Sequence, residues 1–471
     1  MDLLLDTQVM INAAQYTVLY NLECLSVIRY CLFDFFCNNN HNMKVTDFYS
    51  IFIAQNQSFT SDTRTLKNGD IFFALKGDNY NGNLYAVQAL ADGASYAVVD
   101  EDTGSKSEQI IRVDDVLAYM QTLASYHRKQ FEIPIIAIAG SNGKTTTKEL
   151  LVGILSHQFK VHATKGNFNN HIGVPLTLLA MPRDTEIGLI EIGTNNFGEI
   201  KFLSEILDPN YGIITNIGKE HLEGFGDLEG VAREESELYH YLQDHNGFAF
   251  VNADDVYLKR MSHRLPNKLT FGIENEEADI SVDLIEVAPE LELWHQGTCI
   301  HAHLSGKHNA QNVAAAVAIA TYLKVPSKDI QIGVLGYRPA NNRSEYRIIG
   351  SNHFLLDAYN ANPTSMMAAL ETFKAVKSDE KVILLGDMFE IGQKAKEEHQ
   401  QILEEALKQG CPIMVAGKQF GVAAENTDAQ SFSTTENLVQ HLDQQRFKNT
   451  WFLVKGSRGM TMERVLEAFI Q

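Results

Sequence analysis

The sequence predicts an α/β fold in which small, mostly parallel sheets are covered by helices, and three observations support this class. Short apolar runs at 134–139, 188–192 and 211–215 have the length and composition of buried parallel strands. Segments of helical character separate these runs, as in a doubly wound sheet. The chain has 471 residues, and at about 150 residues per domain this length gives about three domains.

Composition places the chain among globular proteins and limits its partners. Hydrophobic residues make up 45% and charged residues 21%, which is ordinary for globular domains. The 39 Lys and Arg against 59 Asp and Glu give a net charge of −20. A nonspecific nucleic-acid binder usually carries a basic face, so we expect no nucleic-acid partner. A local cluster of positive charge can still hold phosphates.

The cysteines and the apolar runs predict a cytoplasmic location. The five cysteines include no CxxC pair and are too few for a disulfide framework in a chain of this length, which favours a reducing compartment. No uncharged apolar span of about 18 residues is found, so we expect no membrane helix.

The first 42 residues are predicted to form an extension outside the fold. Segment 17–37 is apolar but carries Glu23, Arg29 and Asp34, too many charges for a spanning helix. It also lacks the basic start and the small-residue cleavage site of a signal peptide. A short docking helix is the alternative interpretation.

The rest of the chain is predicted to form three domains. The first, 43–130, is a small α/β domain with strands at 70–75 and 95–99, a turn-rich segment at 77–83 and a helix at 84–91. The second, 131–337, adds to the strands above a helix at 144–157, an antiparallel ribbon within 279–305 and an Ala-rich helix at 309–323. The third, 338–471, is Rossmann-like, with strands at 354–357, 381–385, 412–416 and 451–454.

The sharpest motif is a phosphate loop between a buried strand and a helix. It reads Gly140, Ser141, Asn142, Gly143, Lys144, Thr145, Thr146 and Thr147. Its glycines let backbone N–H groups and the helix N-terminus point at phosphate oxygens. Lys144 supplies charge for the β- and γ-phosphates, and Thr145, supported by Thr146, can ligate Mg²⁺. Position 138 is Ile where the longer motif has Gly, so the loop is a shortened form. An ordinary Gly-rich turn is the alternative.

Two further groups are expected at the same edge, because ligands of parallel sheets bind beyond the carboxyl ends of the strands. Glu191 ends the strand at 188–192, and a carboxylate suits Mg²⁺. His221 follows the strand at 211–215 and could ligate a second metal ion. A helix cap and a structural histidine are the respective alternatives.

Several polar side chains are candidates for substrate or nucleotide contacts. Asn167 and Asn170 lie in an amide-rich loop, 165–173, and Thr194 and Asn195 follow Glu191; amides bind polar substrates without adding charge. A plain Asn/Gly loop is the alternative. Asn309 and Asn312 share one face at the start of the Ala-rich helix; they could read an adenine edge or serve as simple caps.

Together these residues resemble the Mur ligase family, the ATP-dependent amide-bond formers of bacterial cell-wall synthesis, from about residue 43 to the C-terminus. The family uses the shortened phosphate loop, and its Mg²⁺ acid and metal histidine match Glu191 and His221. Its GxHNxxN-type helix start matches 306–312, and its domain-linking arginine matches Arg343.

Within the family, three stretches resemble one member in particular: 357–363, 386–392 and 455–458. The DYAHTPD-like and DNPR stretches of the member that adds diaminopimelate or lysine are absent from the sequence. In the first domain, two segments resemble those that hold the UDP-sugar. Their candidate contacts are Ser61, Asp62, Thr63, Arg64, Lys76, Gly77, Asn81 and Gly82.

The resemblance implies a ligase that joins D-alanyl-D-alanine to UDP-N-acetylmuramoyl-tripeptide through an acyl phosphate, with ATP and two Mg²⁺ ions. It implies Lys144 and His221 in catalysis. We also expect the protein to be a monomer. Asn309, Asn312, Arg343 and Asp357 are implied for the nucleotide, and Tyr359, Asn360 and Asn362 for the dipeptide or nucleotide. There are two alternatives. One is another Mur-like ligase, such as a folylpolyglutamate synthase, and the UDP-sugar segments of the first domain argue against it. The other is a P-loop ATPase switch.

One position departs from the family pattern. A lysine, carbamylated on its amine, often helps to hold the second Mg²⁺ in the family, and alignment of 230–238 places Glu235 there. A glutamate carries the charge of a carbamate directly, so Glu235 is a candidate metal ligand and catalytic residue. A solvated acidic helix face is the alternative.

Overall fold

The computed structural model describes residues 43–339 and 342–470. The predicted extension, 1–42, lies outside the described residues. The described chain falls into two compact units, one ending at Tyr126 and the other beginning at His127. The domain boundaries at 42, 130 and 337 stay predictions. No helix in the described ranges is long and apolar enough to cross a bilayer.

The first unit contains a four-stranded parallel sheet in the order β1-β2-β5-β6 and a separate short hairpin, β3-β4. Its strands are β1 Phe59–Thr60, β2 Ile71–Phe73, β3 Lys76–Gly77, β4 Tyr80–Asn81, β5 Tyr96–Val99 and β6 Ile110–Arg112. Its helices are α1 Val45–Ala54, α2 Ala86–Ala91 and α3 Val116–Arg128, within which the unit ends.

The second unit begins with a seven-stranded parallel sheet in the order β13-β12-β11-β10-β7-β9-β8. These strands are β7 Ile135–Ala139, β8 Val161–Ala163, β9 Ile187–Glu191, β10 Tyr211–Ile214, β11 Phe248–Asn252, β12 Lys268–Gly272 and β13 Ile280–Ser281. An antiparallel ribbon comes next, formed by β14 Asp283–Glu286, β15 Leu291–His295 and β16 Thr298–Ala302.

Helices accompany the seven strands and continue past the ribbon. They are α4 Lys144–Leu155, α5 Gly173–Leu179, α6 Glu199–Leu207, α7 Leu222–Phe225, α8 Leu228–Glu235, α9 Glu237–Asp244, α10 Val256–Met261, α11 Lys307–Tyr322 and α12 Ser327–Gly336. The Ala-rich α11 buries almost its whole circumference, and its alanines let it pack closely in the core shared by the large sheet and the ribbon.

The C-terminal part of the second unit is a six-stranded sheet in the order β17-β18-β22-β19-β20-β21, with only the β17-β18 pair antiparallel. Its strands are β17 Glu345–Ile349, β18 Asn352–Asp357, β19 Lys381–Gly386, β20 Ile413–Ala416, β21 Gln430–Phe432 and β22 Trp451–Lys455. Its helices are α13 Pro363–Ala375, α14 Ala395–Leu407, α15 Lys418–Ala423 and α16 Thr435–Asp443.

The predicted α/β class is confirmed, and the order of the large sheet positions the candidate site. Strands β7 and β9 are buried at every residue, which explains their continuous apolar sequence. Strand β7 lies between β10 and β9, so the loop at its end is flanked by the loops at the ends of both neighbouring strands. All three strands are parallel, and their carboxyl ends therefore meet at one edge.

Sequence reasoning missed parts of the first unit. It proposed strands and turns there but not α1, although Phe48, Ile51 and Phe52 repeat at helical spacing and are buried. The helix expected at 84–91 starts as a 3-10 turn over Gly82–Tyr85 and becomes α-helical at Ala86.

Candidate active site

The phosphate loop between β7 and α4 requires glycine at two positions. Gly140 has φ +110° and Gly143 has φ +85°, a region that side chains disfavour. Neighbouring atoms also leave no room. A Cβ on Gly140 would lie 2.4 Å from Thr215 Oγ1, and one on Gly143 would lie 2.3 Å from Asn312 Oδ1. The loop is therefore packed against the end of β10 and against α11.

Hydrogen bonds fix the loop to the segment that comes after β10. Ser141 N donates to Asn216 O at 3.0 Å, and Asn142 N donates to Asn216 Oδ1 at 3.2 Å. In return, Thr215 Oγ1 and Asn216 Nδ2 both donate to Asn142 O at 2.7 Å. Thr215 and Asn216 therefore shape the loop, a role that their sequence positions did not reveal.

Lys144, Thr145 and Glu191 are brought together as the sequence predicts. Lys144 Nζ donates to the carbonyl of Gly140, and Thr145 Oγ1 donates to Glu191 Oε2 at 3.2 Å. Glu191 is 1% exposed. Burial raises the pKa of Glu191, and the charges of Lys148 and Lys144 oppose that rise.

Lys148 is a member of this cluster that sequence reasoning missed. It is 1% exposed, with Nζ 3.3 Å from Glu191 Oε1 and 2.6 Å from Thr164 O. The signal was available, because Lys148 comes one helical turn after Lys144 and so lies on the same face of α4. A buried lysine next to a buried carboxylate keeps the local charge balanced.

Glu235 contacts the first residue of the loop. It is 0% exposed, so the alternative of a solvated acidic face is wrong. Its Oε2 accepts the N–H of Gly140 at 2.9 Å, while its Oε1 is buried without a hydrogen-bond partner, as is Oε1 of Glu220. Burial raises the pKa of Glu235; Lys144 opposes this rise and Glu220 adds to it. Sequence reasoning did not single out Glu220.

His221 pairs with a residue of the loop that follows β19. Its Nδ1 lies 2.7 Å from Glu390 Oε2, and both residues have left-handed backbones, with φ +44° and +62°. Glu390 belongs to the 386–392 stretch that the sequence singled out.

Asn309 and Asn312 are buried behind the loop. Asn312 Oδ1 accepts from Thr147 Oγ1 at 3.3 Å, and Asn312 Nδ2 donates to Asn309 Oδ1 at 3.1 Å. Asn309 Nδ2 in turn donates to Ser305 O at 2.9 Å. The side-chain amides of Asn309 and Asn312 are therefore both hydrogen-bonded to other residues of the chain, and they support the helix that follows the loop. A direct contact with adenine stays a prediction.

The remaining nucleotide candidates gather at the end of β18. The guanidinium of Arg343 lies 3.4 Å from the centre of the Tyr359 ring. Asp357 accepts from Ser344 N at 3.1 Å and pairs with the buried Lys455. Burial alone raises the pKa of Asp357, but Lys455 outweighs it, and the net pKa lies below its usual value.

Asn362 links the C-terminal sheet to the phosphate loop. Its Oδ1 caps α13 by accepting from Ser365 N at 2.8 Å, while its Nδ2 donates to Asn142 Oδ1 at 2.9 Å. Lys219 strengthens the link, since its N–H donates to Thr364 Oγ1 at 2.8 Å and its Nζ to Glu398 Oε1 at 2.6 Å. No sequence pattern pointed to this role of Lys219.

The polar candidates elsewhere in the second unit have local roles. Asn170 Oδ1 accepts from Gly173 N at 2.9 Å, at the start of α5, and Asn167 is exposed. Thr194 is buried and donates to Glu234 Oε1 at 3.2 Å. Asn195 N donates to Glu199 at 2.7 Å, whereas Asn360 Oδ1 accepts from the next N–H of the chain at 2.9 Å.

The first-unit candidates form two turns. Asp62 and Arg64 pair at 2.6 Å, and the Arg64 guanidinium lowers the pKa of Asp62 to about 2. Ser61 and Thr63 flank Asp62 in this turn. In the other turn, Lys76 Nζ lies 3.1 Å from Asp100, and Asn81 Nδ2 donates to Glu101 at 2.8 Å. Gly77 and Gly82 complete it; a Cβ on Gly82 would lie 2.6 Å from the carbonyl of Leu75.

Comparison with known proteins agrees with this arrangement. Residues 138–320 match the Mur ligase middle domain, and residues 342–458 match the Mur ligase, glutamate ligase domain. The first match covers the phosphate loop and Asn312, and the second covers Arg343 and Asp357. The chain belongs to the Mur ligase family.

Several curated relatives that match most of the chain share one name. The UDP-N-acetylmuramoyl-tripeptide–D-alanyl-D-alanine ligase of Treponema pallidum is 33% identical, over 86% of this chain and 92% of its own length. A crystal structure of MurF from Acinetobacter baumannii is 31% identical with TM-score 0.79, over 88% of this chain and 93% of that one. The structure of MurF from Thermotoga maritima in complex with ADP is 26% identical with TM-score 0.78, and the match covers 88% of this chain and 97% of that chain.

Proposed function

We propose that this protein joins D-alanyl-D-alanine to UDP-N-acetylmuramoyl-tripeptide, using ATP and releasing ADP and phosphate. One observation carries the proposal: Lys144, Thr145 and the buried Glu191 meet at the phosphate loop, in a chain that matches ligases of this name over most of its length. The predicted cytoplasmic location belongs to this proposal, because its substrates are nucleotides and peptides made inside the cell.

The proposed chemistry has two steps. A carboxylate oxygen of the tripeptide attacks the γ-phosphorus of ATP, and ADP leaves with the electrons of the broken P–O bond. The D-alanyl-D-alanine amine then attacks the acyl carbon, phosphate leaves, and the nitrogen loses a proton as the amide forms. The protein's part is to position the reactants and to offset negative charge. We assign to Lys144, whose Nζ donates to the Gly140 carbonyl, the neutralisation of the transferred phosphoryl group.

The charged groups around the loop fit two Mg²⁺ ions. Glu191 and the Thr145 hydroxyl offer hard oxygen ligands side by side. Oε1 of Glu235 is a buried carboxylate oxygen with no hydrogen-bond partner. A buried polar atom without a partner calls for an explanation, and a bound cation would supply one. We assign Thr145 and Glu191 to one ion, and His221 and Glu235 to the other. Bound Mg²⁺ would offset phosphate charge.

The remaining candidates divide among the three substrates: ATP, the dipeptide and the UDP-linked tripeptide. The backbone of 140–143 and residues Lys144 to Thr146 are proposed to hold the ATP phosphates, with Asn309, Asn312, Arg343 and Asp357 supporting the nucleotide. Tyr359, Asn360 and Asn362 are proposed for the dipeptide or nucleotide, and Asn167, Asn170, Thr194 and Asn195 for the acceptor peptide. Ser61 to Arg64 and the turn at 76–82 are proposed for the UDP-sugar.

The test is phosphate release from ATP and Mg²⁺, with UDP-N-acetylmuramoyl-tripeptide and D-alanyl-D-alanine added separately and together. We expect release only with both, and a product heavier by the dipeptide in mass spectrometry. Release with another amino acid or a glutamyl acceptor would move the protein to another branch of the family. Release with neither substrate would contradict the ligase and favour an ATPase switch.

A further inference from the structure

Three metal-ligating side chains meet on the antiparallel ribbon, and none of the roles proposed above uses them. Glu292 lies on β15, and Cys299 and His301 lie on β16. One ligand atom from each lies within 4.8 Å of the other two. Glu292 and Cys299 are half-buried and His301 is exposed, so an ion can reach them from solvent.

The strand register explains why these residues meet. Glu292 lies directly opposite His301, and Cys299 lies opposite Trp294, one pair further along the same face. The alternate residues Leu291, Leu293, Ile300 and Ala302 point the other way, into the core shared with the large sheet. The cluster therefore stands on a regular, anchored pair of strands, and it does not depend on the conformation of a loop.

The spacing of the ligand atoms suits a tetrahedral ion. Cys299 Sγ lies 3.2 Å from Glu292 Oε1 and 3.4 Å from His301 Nε2. Zinc bond lengths of about 2.0–2.3 Å place neighbouring ligand atoms about 3.4–3.6 Å apart in a tetrahedron. The third pair is wider, since Glu292 Oε2 lies 4.0 Å from His301 Nδ1, so the imidazole and the carboxylate must rotate for one atom of each to join Cys299 Sγ around one ion.

We propose that Cys299, His301 and Glu292 bind one Zn²⁺ ion, with water in the fourth position. A thiolate, an imidazole and a carboxylate form a donor set typical of zinc, whereas Mg²⁺ prefers oxygen ligands alone. Cys299 is a free thiol in the described structure, and it releases its proton to solvent when the metal binds. The ion joins two adjacent strands of the ribbon and is separate from the proposed Mg²⁺ sites.

The test uses Co²⁺ as a spectroscopic probe of the full-length chain in excess Mg²⁺. A cobalt–thiolate bond gives a charge-transfer absorption that oxygen and nitrogen ligands do not give. Because the chain has four other cysteines, the band is measured as the difference between the wild type and Cys299→Ser. We expect one Co²⁺ per chain in this difference and displacement by Zn²⁺. His301→Ala should weaken binding at least about tenfold.

Cys411→Ser is the matched control, since Cys411 is the other free thiol of the described residues, and it should keep the band. Zn²⁺ should also raise the melting temperature of the wild type but not that of Cys299→Ser. An identical spectrum for the wild type and Cys299→Ser, or failure of Zn²⁺ to displace Co²⁺, would overturn the proposal. Ligase turnover in Mg²⁺ should not change in Cys299→Ser, so the zinc site and the proposed function fail separately.

Discussion

The phosphate loop and the turn at 61–64 hold their charges in opposite ways. Around the loop, Glu191 and Lys148 are each 1% exposed and Glu235 is 0% exposed. In the turn, the side chains of Asp62 and Arg64 are 38% and 87% exposed. These three charges around the loop are therefore kept out of water, whereas Lys144 of the loop itself is partly exposed and the turn leaves its ion pair in water.

The difference separates two tasks. Charges that are buried and hydrogen-bonded cannot reorient, and such fixed groups stabilise charge that develops during a reaction. An exposed ion pair contributes little to stability, but its guanidinium remains accessible to an anionic ligand. Substitutions near the loop should therefore change kcat or the use of ATP and Mg²⁺, whereas substitutions in the turn should change only the KM for the UDP-substrate.

Among the substitutions that test this difference between the loop and the turn, Lys144→Ala should have the largest effect. We expect kcat to fall by at least about 10³-fold, because the lysine charge at the transferred phosphoryl group is lost. Affinity for UDP-N-acetylmuramoyl-tripeptide, measured by calorimetric titration, should stay within about twofold of the wild type. Lys160→Ala, which removes an exposed lysine paired with Asp184, should change neither quantity. A matching loss of UDP-substrate affinity in Lys144→Ala would contradict the division.

Gly143→Ala tests whether the loop depends on its close packing against Asn312. The added Cβ would meet Asn312 Oδ1 at 2.3 Å, so the loop must shift, and we expect the ATP KM to rise about 100-fold. Gly297→Ala is the matched control, because Gly297 has a similar φ of +79° with no atom within 4 Å of the added Cβ. It should cost about 1 kcal/mol of stability and leave the ATP KM unchanged. Equal effects on the ATP KM would show that a general loss of stability, and not the packing of the loop against Asn312, is responsible.

The same contrast explains which site residues could be predicted. Lys144, Thr145 and Glu191 were predictable because each lies at or just beyond the end of a strand of one parallel sheet, and topology alone brings them to one edge. Strands β7, β9 and β10 were predictable because burial makes them almost continuously apolar, and local pattern and topology were sufficient there. The sequence analysis did not name β8, β11 and β12 of the same sheet, and it assigned Ile280–Ser281, which pair in parallel with β12, to the antiparallel ribbon.

Site residues whose role depends on tertiary contacts were not predicted from the sequence. Glu220 and Lys219 lie in an ordinary polar stretch, and only the folded chain shows that Glu220 is buried without a partner for one oxygen. Likewise, the bond between Asn142 and Asn362 joins residues 220 positions apart, beyond the reach of any spacing rule. Burial of Glu235 was also hidden, because the run of acids around it resembles a solvated helix face.

Glu235→Gln tests the proposed carboxylate ligand of the second Mg²⁺. We expect about a tenfold rise in the Mg²⁺ concentration needed for half-maximal turnover, since the amide is neutral. Mn²⁺ binding to the protein–ATP complex, monitored by electron paramagnetic resonance, should fall from two ions to one. Unchanged turnover and Mg²⁺ dependence would refute the assignment.

The neighbouring Glu234 supplies the control for Glu235. It is 2% exposed, but its carboxylate accepts the N–H groups of Gly198 and Ile200, at 2.7 and 2.8 Å, at the start of α6. Glu234→Gln should therefore lower stability by about 1–3 kcal/mol in denaturant unfolding and leave the Mg²⁺ dependence unchanged. A shared effect on Mg²⁺ would mean that buried charge in general, and not ligation, is measured.

Arg64→Ala should give the smallest effect, on the exposed side of the comparison. We expect KM for the UDP-substrate to rise about fivefold with kcat unchanged, because a charge-assisted contact to the ligand is lost. Lys67→Ala, an exposed basic neighbour, should leave KM unchanged. Asp62 gives a second readout. Its pKa of about 2 lies below its usual 3.8 because of Arg64, and NMR titration of Arg64→Ala should show it rising towards 3.8.

The Asp62–Arg64 pair also affects how the stability of the fold depends on pH. A carboxyl whose pKa is depressed in the folded state favours folding above its unfolded pKa of 3.8, and that contribution is lost as the pH falls through about 2. Because the pair is exposed, the loss is small, and Arg64→Ala should remove it without lowering stability at neutral pH. A marked loss of stability at neutral pH would mean that the turn is structural, like the loop, and the contrast between the two regions would fail.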